Sequence, residues 1–494
     1  MAFKRSSGML LHPTSLQGPY GIGDLGPQAY HFIDFLADSG CKLWQVLPLG
    51  PTGYGDSPYQ CFSAFAGNPY LISPDVLMEQ GLLWREDLVD MPAWDPAHVD
   101  FGALYRWKPG LLDKAYERFE TMPRGQIHEE FKVFVTNNAA WLDDFALFMA
   151  LKNANGGVSW NEWPTEQHVR QQVALENARR VYAPAIVRQQ FRQFLFFRQW
   201  NTLRAYVHSR GLQIVGDIPI FVAMDSADAW SHPDLFFLDE AGKPTVVAGV
   251  PPDYFSPTGQ LWGNPLYDWA KHKQSGYAWW IERIRATLSI VDIVRIDHFR
   301  GFAGYWEIPG QAPTAQVGRW VPGPGEDLFN SIRAALGDLP IIAEDLGEIT
   351  PDVFELRDKF GLPGMKILQF GFSGPDSPFL PQHYTANCVA YTGTHDNDTV
   401  LGWYRTAPAH ERDFYHRYIS RENADVPGDM LRAIWGSVAV FVVAPLQDFL
   451  RMGSEARMNF PGKVGGYWTW RMDERVLDEN LKNQLRELNW VFQR

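Results

Sequence analysis

The chain has 494 residues, of which 46% are hydrophobic, so it can bury a large core and is not expected to be disordered. Its formal net charge is −13, and its Lys and Arg residues form no cluster. This charge balance argues against nucleic acid or an anionic membrane surface as a partner. The N-terminal residues lack the pattern of a signal peptide, and no stretch is long and apolar enough to predict a membrane span.

Cysteine usage fits a reducing compartment. The chain has 3 cysteines, Cys41, Cys61 and Cys388, and an odd number leaves at least one of them unpaired. Neither a CxxC pair nor a Cys/His spacing indicates a zinc site. We therefore expect a cytoplasmic protein with no metal and no cofactor.

The first predicted elements are a short strand that gives way to a loop rich in Gly and Pro, both within residues 9–26, and a helix over 28–39. A strand follows at 42–49, and the loop after it, 50–70, is long. Long ordered loops at strand ends usually serve function, so Ser57 and Tyr59 are candidate sugar contacts. Alternatively, such loop residues satisfy only their own backbone.

Two segments interrupt the alternation of strands and helices that continues downstream. Residues 75–210 are mostly helical, with helices predicted at 110–121, 128–152 and 184–210, and we interpret them as an insertion between barrel strands. Residues 226–268 show no clear periodicity, which is typical of a lid or binding loop. This second segment carries Asp253 and Trp262.

The stretch VDIVRIDHFRGF, residues 291–302, begins as the apolar run of a buried strand and ends in charges. Residues two apart on a strand point to the same side, so Arg295 and Asp297 can share one face. A guanidinium at that distance favours the ionised carboxylate, which a glycosidic nucleophile requires. The alternative is a purely structural ion pair.

Three further apolar runs also end in acids: Asp217 near the end of 212–219, Glu344 after 340–343, and Asp396 beside His395. The alternation continues with helices predicted at 277–289, 326–336 and 351–360 and a strand at 365–372. It ends with a strand-like run beginning at 436. In a (β/α)8 TIM barrel all these strand ends open on the face that holds the active site. We expect one catalytic barrel over residues 1–494 with the two insertions described above.

Eight stretches, in order along the chain, resemble the amylomaltases, the bacterial 4-α-glucanotransferases of the α-amylase clan. They are HPTSLQGPYGIGDLG from residue 12, GDSPYQ from 55, GDIPIFV from 216, GVPPDYFSPTGQLWGNP from 249, RIDHFRG from 295, AEDLG from 343, GTHDND from 393 and MNFPG from 458. The resemblance covers nearly the whole chain and implies a (β/α)8 barrel enzyme that moves α-1,4-glucan segments with retention. The implied partners are maltooligosaccharides, glucans from starch or glycogen, and glucose as an acceptor.

The resemblance also implies a role for individual residues. Asp297 would be the nucleophile, Glu344 the acid and base, and Asp396 the residue that favours the distorted sugar ring. Retention requires the two reacting carboxyls to lie about 5–5.5 Å apart. Arg295 would keep Asp297 ionised, and the further residues implied in substrate binding are Ser57, Tyr59, Asp217, Asp253, Trp262 and His395.

The sequence departs from the family pattern at one place and leaves two rival functions open. Where the family usually has an Asn directly before a Trp, this chain has Gly466-Tyr467-Trp468, which removes one expected polar contact with substrate. One rival function is a hydrolytic α-amylase-type enzyme, which shares the three carboxylates but not the 249–265 stretch. The other is a glucan-binding protein without activity, which the presence of all three acids argues against.

Overall fold

The computed structural model describes residues 3–252, 256–419, 425–463 and 465–494. The strands are β1 (Ser6–Leu10), β2 (Leu43–Gln45), β3 (Gln213–Pro219), β4 (Val246–Val250), β5 (Gln260–Pro265), β6 (Ile293–Asp297), β7 (Gly304–Pro309), β8 (Arg319–Pro322), β9 (Ile341–Ala343), β10 (Gly364–Ile367), β11 (Cys388–Tyr391) and β12 (Phe441–Pro445). The helices are α1 (Pro27–Asp38), α2 (Pro74–Glu79), α3 (Phe101–Thr121), α4 (Gln126–Ala154), α5 (Thr165–His168), α6 (Gln172–Val181), α7 (Ala183–Ser209), α8 (Ala227–Ser231), α9 (Trp269–Gln274), α10 (Ala278–Ile290), α11 (Gly325–Leu336), α12 (Pro351–Lys359), α13 (Val400–Thr406), α14 (Ala409–Ile419), α15 (Val426–Trp435), α16 (Leu446–Phe449) and α17 (Glu479–Phe492).

Eight parallel strands form the central sheet, in the order β10-β11-β12-β1-β2-β3-β6-β9. The two outer strands of this order meet where the Ala343 N–H donates a hydrogen bond of 2.9 Å to the Pro363 carbonyl, so the sheet comes close to closing on itself. Its strands are almost entirely buried and apolar, as expected of parallel strands that helices cover. The predicted (β/α)8 barrel is confirmed.

The helical segment between β2 and β3 lies where the sequence predicts an insertion, and its apolar side chains are continuous with the barrel core. Helix α3 begins nine residues before the predicted start at 110. The sequence predicts a later start because Pro109 and Gly110 form a pattern typical of a helix break. The helix nevertheless runs through them. Asp100 caps its first turn by accepting from the Ala103 N–H at 2.9 Å, and a buried stripe from Phe101 onward packs on the core.

The expectation that residues 226–268 lack regular structure is wrong for part of the segment. It contains α8, β4 and β5, and the two strands join a four-stranded antiparallel sheet in the order β5-β4-β7-β8. The other two strands of this sheet, β7 and β8, come from a later stretch of sequence that was not predicted as strand. The strand pattern of β4 and β5 is hidden because both strands are short and contain Gly249, Gly263 and Pro265. These residues break the alternation on which strand prediction depends.

The remaining differences concern element ends. The strand predicted at 42–49 is shorter, 43–45, and the one predicted at 365–372 turns into a short 3-10 helix after Ile367. The run beginning at 436 contains β12, which pairs with β1 and β11 and so completes the barrel as predicted. The other predicted helices agree with the structure within two residues at each end.

Close approach of β1 and β2 gives a test of the barrel packing. A Cβ added at Gly8 would lie 2.5 Å from both the Cβ and the carbonyl oxygen of Leu43, its partner in the ladder. Gly8→Ala is therefore expected to lower the free energy of unfolding by about 1–3 kcal/mol, because neither backbone can give way. The midpoint of thermal unfolding measures the effect.

Gly110→Ala is the matched control. This glycine lies inside α3, and an added Cβ there would meet no atom within 4 Å. The substitution is expected to leave the unfolding midpoint unchanged or to raise it, because Ala favours a helix over Gly by about 0.5–1 kcal/mol. If both variants unfold at the same temperature, the packing of β1 against β2 is not as described.

Candidate active site

A buried arginine joins two acids at the C-terminal ends of neighbouring strands. In the pairing of β3 with β6, Asp217 lies opposite Arg295. Arg295 donates from Nη1 to Asp217 Oδ2 at 2.5 Å and from Nη2 to Asp297 Oδ1 at 2.9 Å. The side chains of Asp217 and Arg295 are 0% and 3% exposed, whereas that of Asp297 is 28% exposed. Arg295 and Asp297 therefore share a face, as their spacing predicts.

Glu344 follows β9, and two backbone N–H groups orient its carboxyl. His298 donates to Oε2 at 2.7 Å and Leu346 donates to Oε1 at 2.9 Å. His298 has φ +52°, a left-handed conformation that is uncommon for a residue other than glycine. The turn after Asp297 therefore adopts a costly conformation and directs an N–H at the carboxyl of Glu344.

Asp396 lies after β11, and its two oxygens have different partners. Asn459 Nδ2 donates to Oδ1 at 2.6 Å, and His395 Nε2 lies 3.3 Å from Oδ2. The ring of Tyr59 stacks on His395 with centroids 5.2 Å apart, and its hydroxyl donates to Asp217 at 2.9 Å. Tyr59 therefore links this acid to the Asp217–Arg295 pair.

The three acids differ in their pKa values because their surroundings differ. Burial raises the pKa of Asp297 to about 6, although Arg295 opposes the shift. Burial raises the pKa of Glu344 to about 8, and the negative charge of Asp297 adds to the shift. Burial also disfavours ionisation of Asp396, but its contacts with His395 and Asn459 outweigh it and lower its pKa. Near neutral pH, one buried carboxyl is therefore ionised beside another that keeps its proton.

These groups open onto a cleft of about 1300 Å³. Asp297 and Asp396 line it, together with Ser57, Tyr59 and Trp262. The Ser57 hydroxyl accepts from the Tyr59 N–H at 3.2 Å, so this serine serves its own turn as well as the cleft wall. Trp262 lies on β5 and not on a loop. Its indole is half-buried and meets His298 edge-on, with centroids 4.8 Å apart.

The sequence-derived residues differ in their position relative to the cleft. Asp217 and Arg295 are enclosed and do not line the cleft. His395 is also nearly enclosed, with 2% of its side chain exposed. Asp253 lies outside the described residues. The other candidates line the cleft, except Glu344, whose buried carboxyl adjoins Asp297.

Three residues of the site were not identified from the sequence: His298, Asn459 and Trp468. The quoted motifs RIDHFRG and MNFPG contain the first two, which was the available signal. Trp468 packs near Tyr59 and His395, with ring centroids 6.0 and 5.8 Å away, and it lies where the sequence departs from the family pattern. Its φ of +66° shows that the turn after Gly466 is tight.

No group of three or more His, Cys, Asp or Glu side chains in the described ranges could hold a metal ion. Among the helices of the same residues, none is long and apolar enough to cross a membrane.

Comparison with known proteins gives the family. The profile of the family described as 4-alpha-glucanotransferase matches residues 11–477. The chain belongs to this family. The 4-alpha-glucanotransferase of Thermus thermophilus is 53% identical over 481 residues, which are 96% of this chain and 95% of that protein. The family recognised from the sequence motifs and the activity class they imply, 4-α-glucan transfer, are therefore confirmed.

Solved structures agree with this assignment. The amylomaltase of Streptococcus agalactiae, determined in complex with acarbose, is 41% identical and superposes with a TM-score of 0.97, covering 99% of this chain and 100% of that one. The amylomaltase of Corynebacterium glutamicum shares the fold at 18% identity, with a TM-score of 0.78 over 98% of this chain and 75% of that one.

The charge on Arg295 predicts how activity depends on pH. Arg295 lowers the pKa of Asp297, so Arg295→Met should raise that pKa. If activity needs ionised Asp297, the acid limb of the pH–rate profile moves to higher pH in this variant. The measurement is kcat/KM for disproportionation of maltotriose as a function of pH.

Arg204→Met is the matched control, because Arg204 pairs with Asp292 at 2.5 Å at the opposite end of β6. This variant loses a barrel ion pair but should keep the acid limb of the parent. An acid limb that stays in place in Arg295→Met, with only a higher KM, would contradict the electrostatic role of Arg295.

Proposed function

We propose that the chain transfers α-1,4-glucan segments between chains by a retaining double displacement through a covalent glucosyl-enzyme. One observation carries the mechanism: Arg295 holds the carboxyl of Asp297, and two backbone N–H groups hold the carboxyl of Glu344 beside it. Burial raises their pKa values to about 6 and about 8, which favours one ionised and one protonated carboxyl. A nucleophile and an acid need this separation near neutral pH. Family membership supports the substrate class.

In the first half of the reaction, Asp297 attacks the anomeric carbon and Glu344 gives its proton to the departing glycosidic oxygen. Arg295 favours the ionised form of Asp297, and the N–H groups of His298 and Leu346 hold the Glu344 carboxyl in place. The glycosidic bond breaks as the bond to Asp297 forms. The truncated glucan leaves with a free 4-hydroxyl.

In the second half, Glu344 takes the proton of an incoming 4-hydroxyl, and the acceptor oxygen displaces Asp297. The two inversions retain the α configuration. Asp396, which stays ionised, binds sugar hydroxyls and stabilises the positive charge that develops on the ring. Tyr59 and Trp262 supply flat apolar surfaces for sugar faces.

Asp217 acts in this proposal through its neighbours and not on the sugar. Its carboxylate accepts from Arg295 and from the Tyr59 hydroxyl, so it fixes both relative to Asp297. Substrate hydroxyls were the contact expected from the family resemblance. The enclosed position of Asp217 favours the positioning role instead.

The proposed donors are maltooligosaccharides and longer glucans derived from starch or glycogen, with glucose as the smallest acceptor. The related amylomaltase with bound acarbose supports an α-glucan in this cleft. We propose a cytoplasmic location because all three cysteines are free, with Cys41 and Cys388 buried. We also propose that residues 1–494 act as one catalytic unit, because one continuous core joins the helical insertion to the barrel.

Incubation with maltotriose alone tests the function. Transfer gives glucose together with a ladder of oligomers longer than the substrate, and the number of reducing ends stays constant. A hydrolytic α-amylase-type enzyme gives only shorter products and raises the number of reducing ends. A glucan-binding protein without activity leaves maltotriose intact, and either of these results would contradict the proposal.

Glu344→Gln tests the acid and base role. Transfer from unactivated glucans should fall by about 10²–10⁴-fold, because the leaving oxygen is no longer protonated. With α-glucosyl fluoride, whose leaving group needs little help, a covalent adduct on Asp297 should accumulate and be visible by mass spectrometry. Absence of the adduct would contradict the role of Glu344.

Glu348→Gln is the control for this experiment. Glu348 is an exposed glutamate four residues further along the same loop, and only its backbone carbonyl contacts Arg300. Its substitution is expected to leave both the transfer rate and the adduct unchanged.

Trp262→Ala tests how the cleft excludes water. The indole covers His298 at the cleft wall and is held by Gln260 Oε1 at 3.1 Å. Its loss should admit water to the glucosyl-enzyme, so the ratio of transfer to hydrolysis falls. Released reducing ends, measured against chain redistribution, give that ratio.

Trp320→Ala on β8, the far edge of the same antiparallel sheet, is the control and should keep the ratio of the parent. Equal loss of both activities in Trp262→Ala, with a lower unfolding temperature, would show that Trp262 only anchors the cleft wall.

A further inference from the structure

The segment that follows β12, residues 446–459, holds the loop that carries His395 and Asp396. Residues 446–459 make hydrogen bonds to several residues between 392 and 400. Near the middle of the loop, Arg457 Nη2 donates to the Asp396 carbonyl at 2.7 Å and Asn459 donates to its carboxylate. Ser454 Oγ donates to Asp398 at 2.7 Å.

Asp448 bonds to both ends of the loop. The Thr392 hydroxyl donates to Asp448 Oδ2 at 2.6 Å, directly after β11. The Val400 N–H donates to Asp448 Oδ1 at 2.8 Å, at the first residue of α13. One carboxylate therefore ties together the two ends of the loop. Asp448 is 1% exposed and does not line the catalytic cleft.

We propose that Asp448 is a positioning residue for the transfer reaction, which fixes Asp396 by closing the base of its loop. The proposal rests on the function proposed above, because it takes Asp396 as the residue that stabilises the transition state. It adds a residue that no motif in the sequence identified. Displacement of a catalytic group by 1 Å can cost on the order of 10²-fold in rate, so a distant anchor can matter.

The position requires a carboxylate. Both partners are donors, and only an ionised carboxyl presents an acceptor on each oxygen. Asparagine would place an NH2 group either opposite the Val400 N–H, where two donors would face each other, or opposite the Thr392 oxygen, where the threonine O–H would lose its acceptor. Burial raises the pKa of Asp448 to about 6, while its bonds from Thr392 and Val400 oppose the shift, so the carboxylate form prevails near neutral pH.

The experiment uses four variants of the full chain: Asp448→Asn, Thr392→Val, Thr392→Ser and the double variant Asp448→Asn with Thr392→Val. Thr392→Val removes the hydroxyl with little change in shape, and Thr392→Ser keeps it. We expect kcat for maltotriose to fall about 10-fold in Asp448→Asn and Thr392→Val, with KM changed less than about twofold. Thr392→Ser should retain the parent rate, and the double variant should be no slower than Asp448→Asn.

A second readout separates positioning from stability. Asp396 should attract a cationic mimic of the transition state more strongly than a neutral sugar. In Asp448→Asn, the Kd of deoxynojirimycin should therefore rise while the Kd of maltose stays near that of the parent. Asp24→Asn is the control, because Asp24 is also buried, accepts from the Gly26 N–H at 2.9 Å and does not line the cleft. It should keep kcat even if its unfolding temperature falls.

The outcomes separate this proposal from the one on which it rests. If the parent enzyme fails to disproportionate maltotriose, the proposed function is wrong. If the parent is active but Asp448→Asn only unfolds at a lower temperature, with kcat and inhibitor binding unchanged, the positioning role is wrong. If Asp448→Asn does not fold, a Thr392→Val rate equal to that of Thr392→Ser overturns the proposal.

Discussion

The structure of the site depends on one buried cation shared between two acids. Arg295 is enclosed, and removing a charge from water is costly unless partners of opposite charge replace the water. Asp217 and Asp297 are those partners, at 2.5 and 2.9 Å. Each group is tolerable in the core only because the others are present. The same arrangement keeps Asp297 more acidic than its burial alone would allow, although its pKa still exceeds that of an exposed aspartate.

The barrel makes this arrangement possible because it fixes the register of its strands. Asp217 lies opposite Arg295 in the ladder between β3 and β6, so their contact follows from backbone pairing and not from flexible loops. Glu344 is placed in the same way by β9, beside the turn that follows β6. Asp396 is the exception. It lies on a loop, and residues 446–459 supply the rigidity that a strand gives to the other acids.

The sequence predicts those parts of the molecule whose signal is local. Apolar runs ending in Asp217, Asp297 and Glu344 show both the barrel and its catalytic face, because strand periodicity and strand ends are read within a few residues. Strands β4 and β5 were missed, since glycine and proline break their pattern and the next strand of their sheet, β7, pairs with β4 from a distant stretch. Asn459 was missed for a related reason: it lies 63 residues from Asp396 and has no local pattern of its own.

In the proposed mechanism, the interaction between the carboxyls of Asp297 and Glu344 explains how one glutamate acts first as an acid and then as a base. The negative charge of Asp297 is one cause of the raised pKa of Glu344. When Asp297 becomes an ester in the proposed intermediate, that charge disappears and the pKa of Glu344 falls. The proton leaves with the departing glucan in the same step, so the carboxylate that remains is stabilised by the loss of its neighbour's charge. Attack by the acceptor restores the charge on Asp297 and with it the affinity of Glu344 for the acceptor's proton. The geometry that seats Glu344 beside Asp297 therefore sets its protonation state in each half of the reaction.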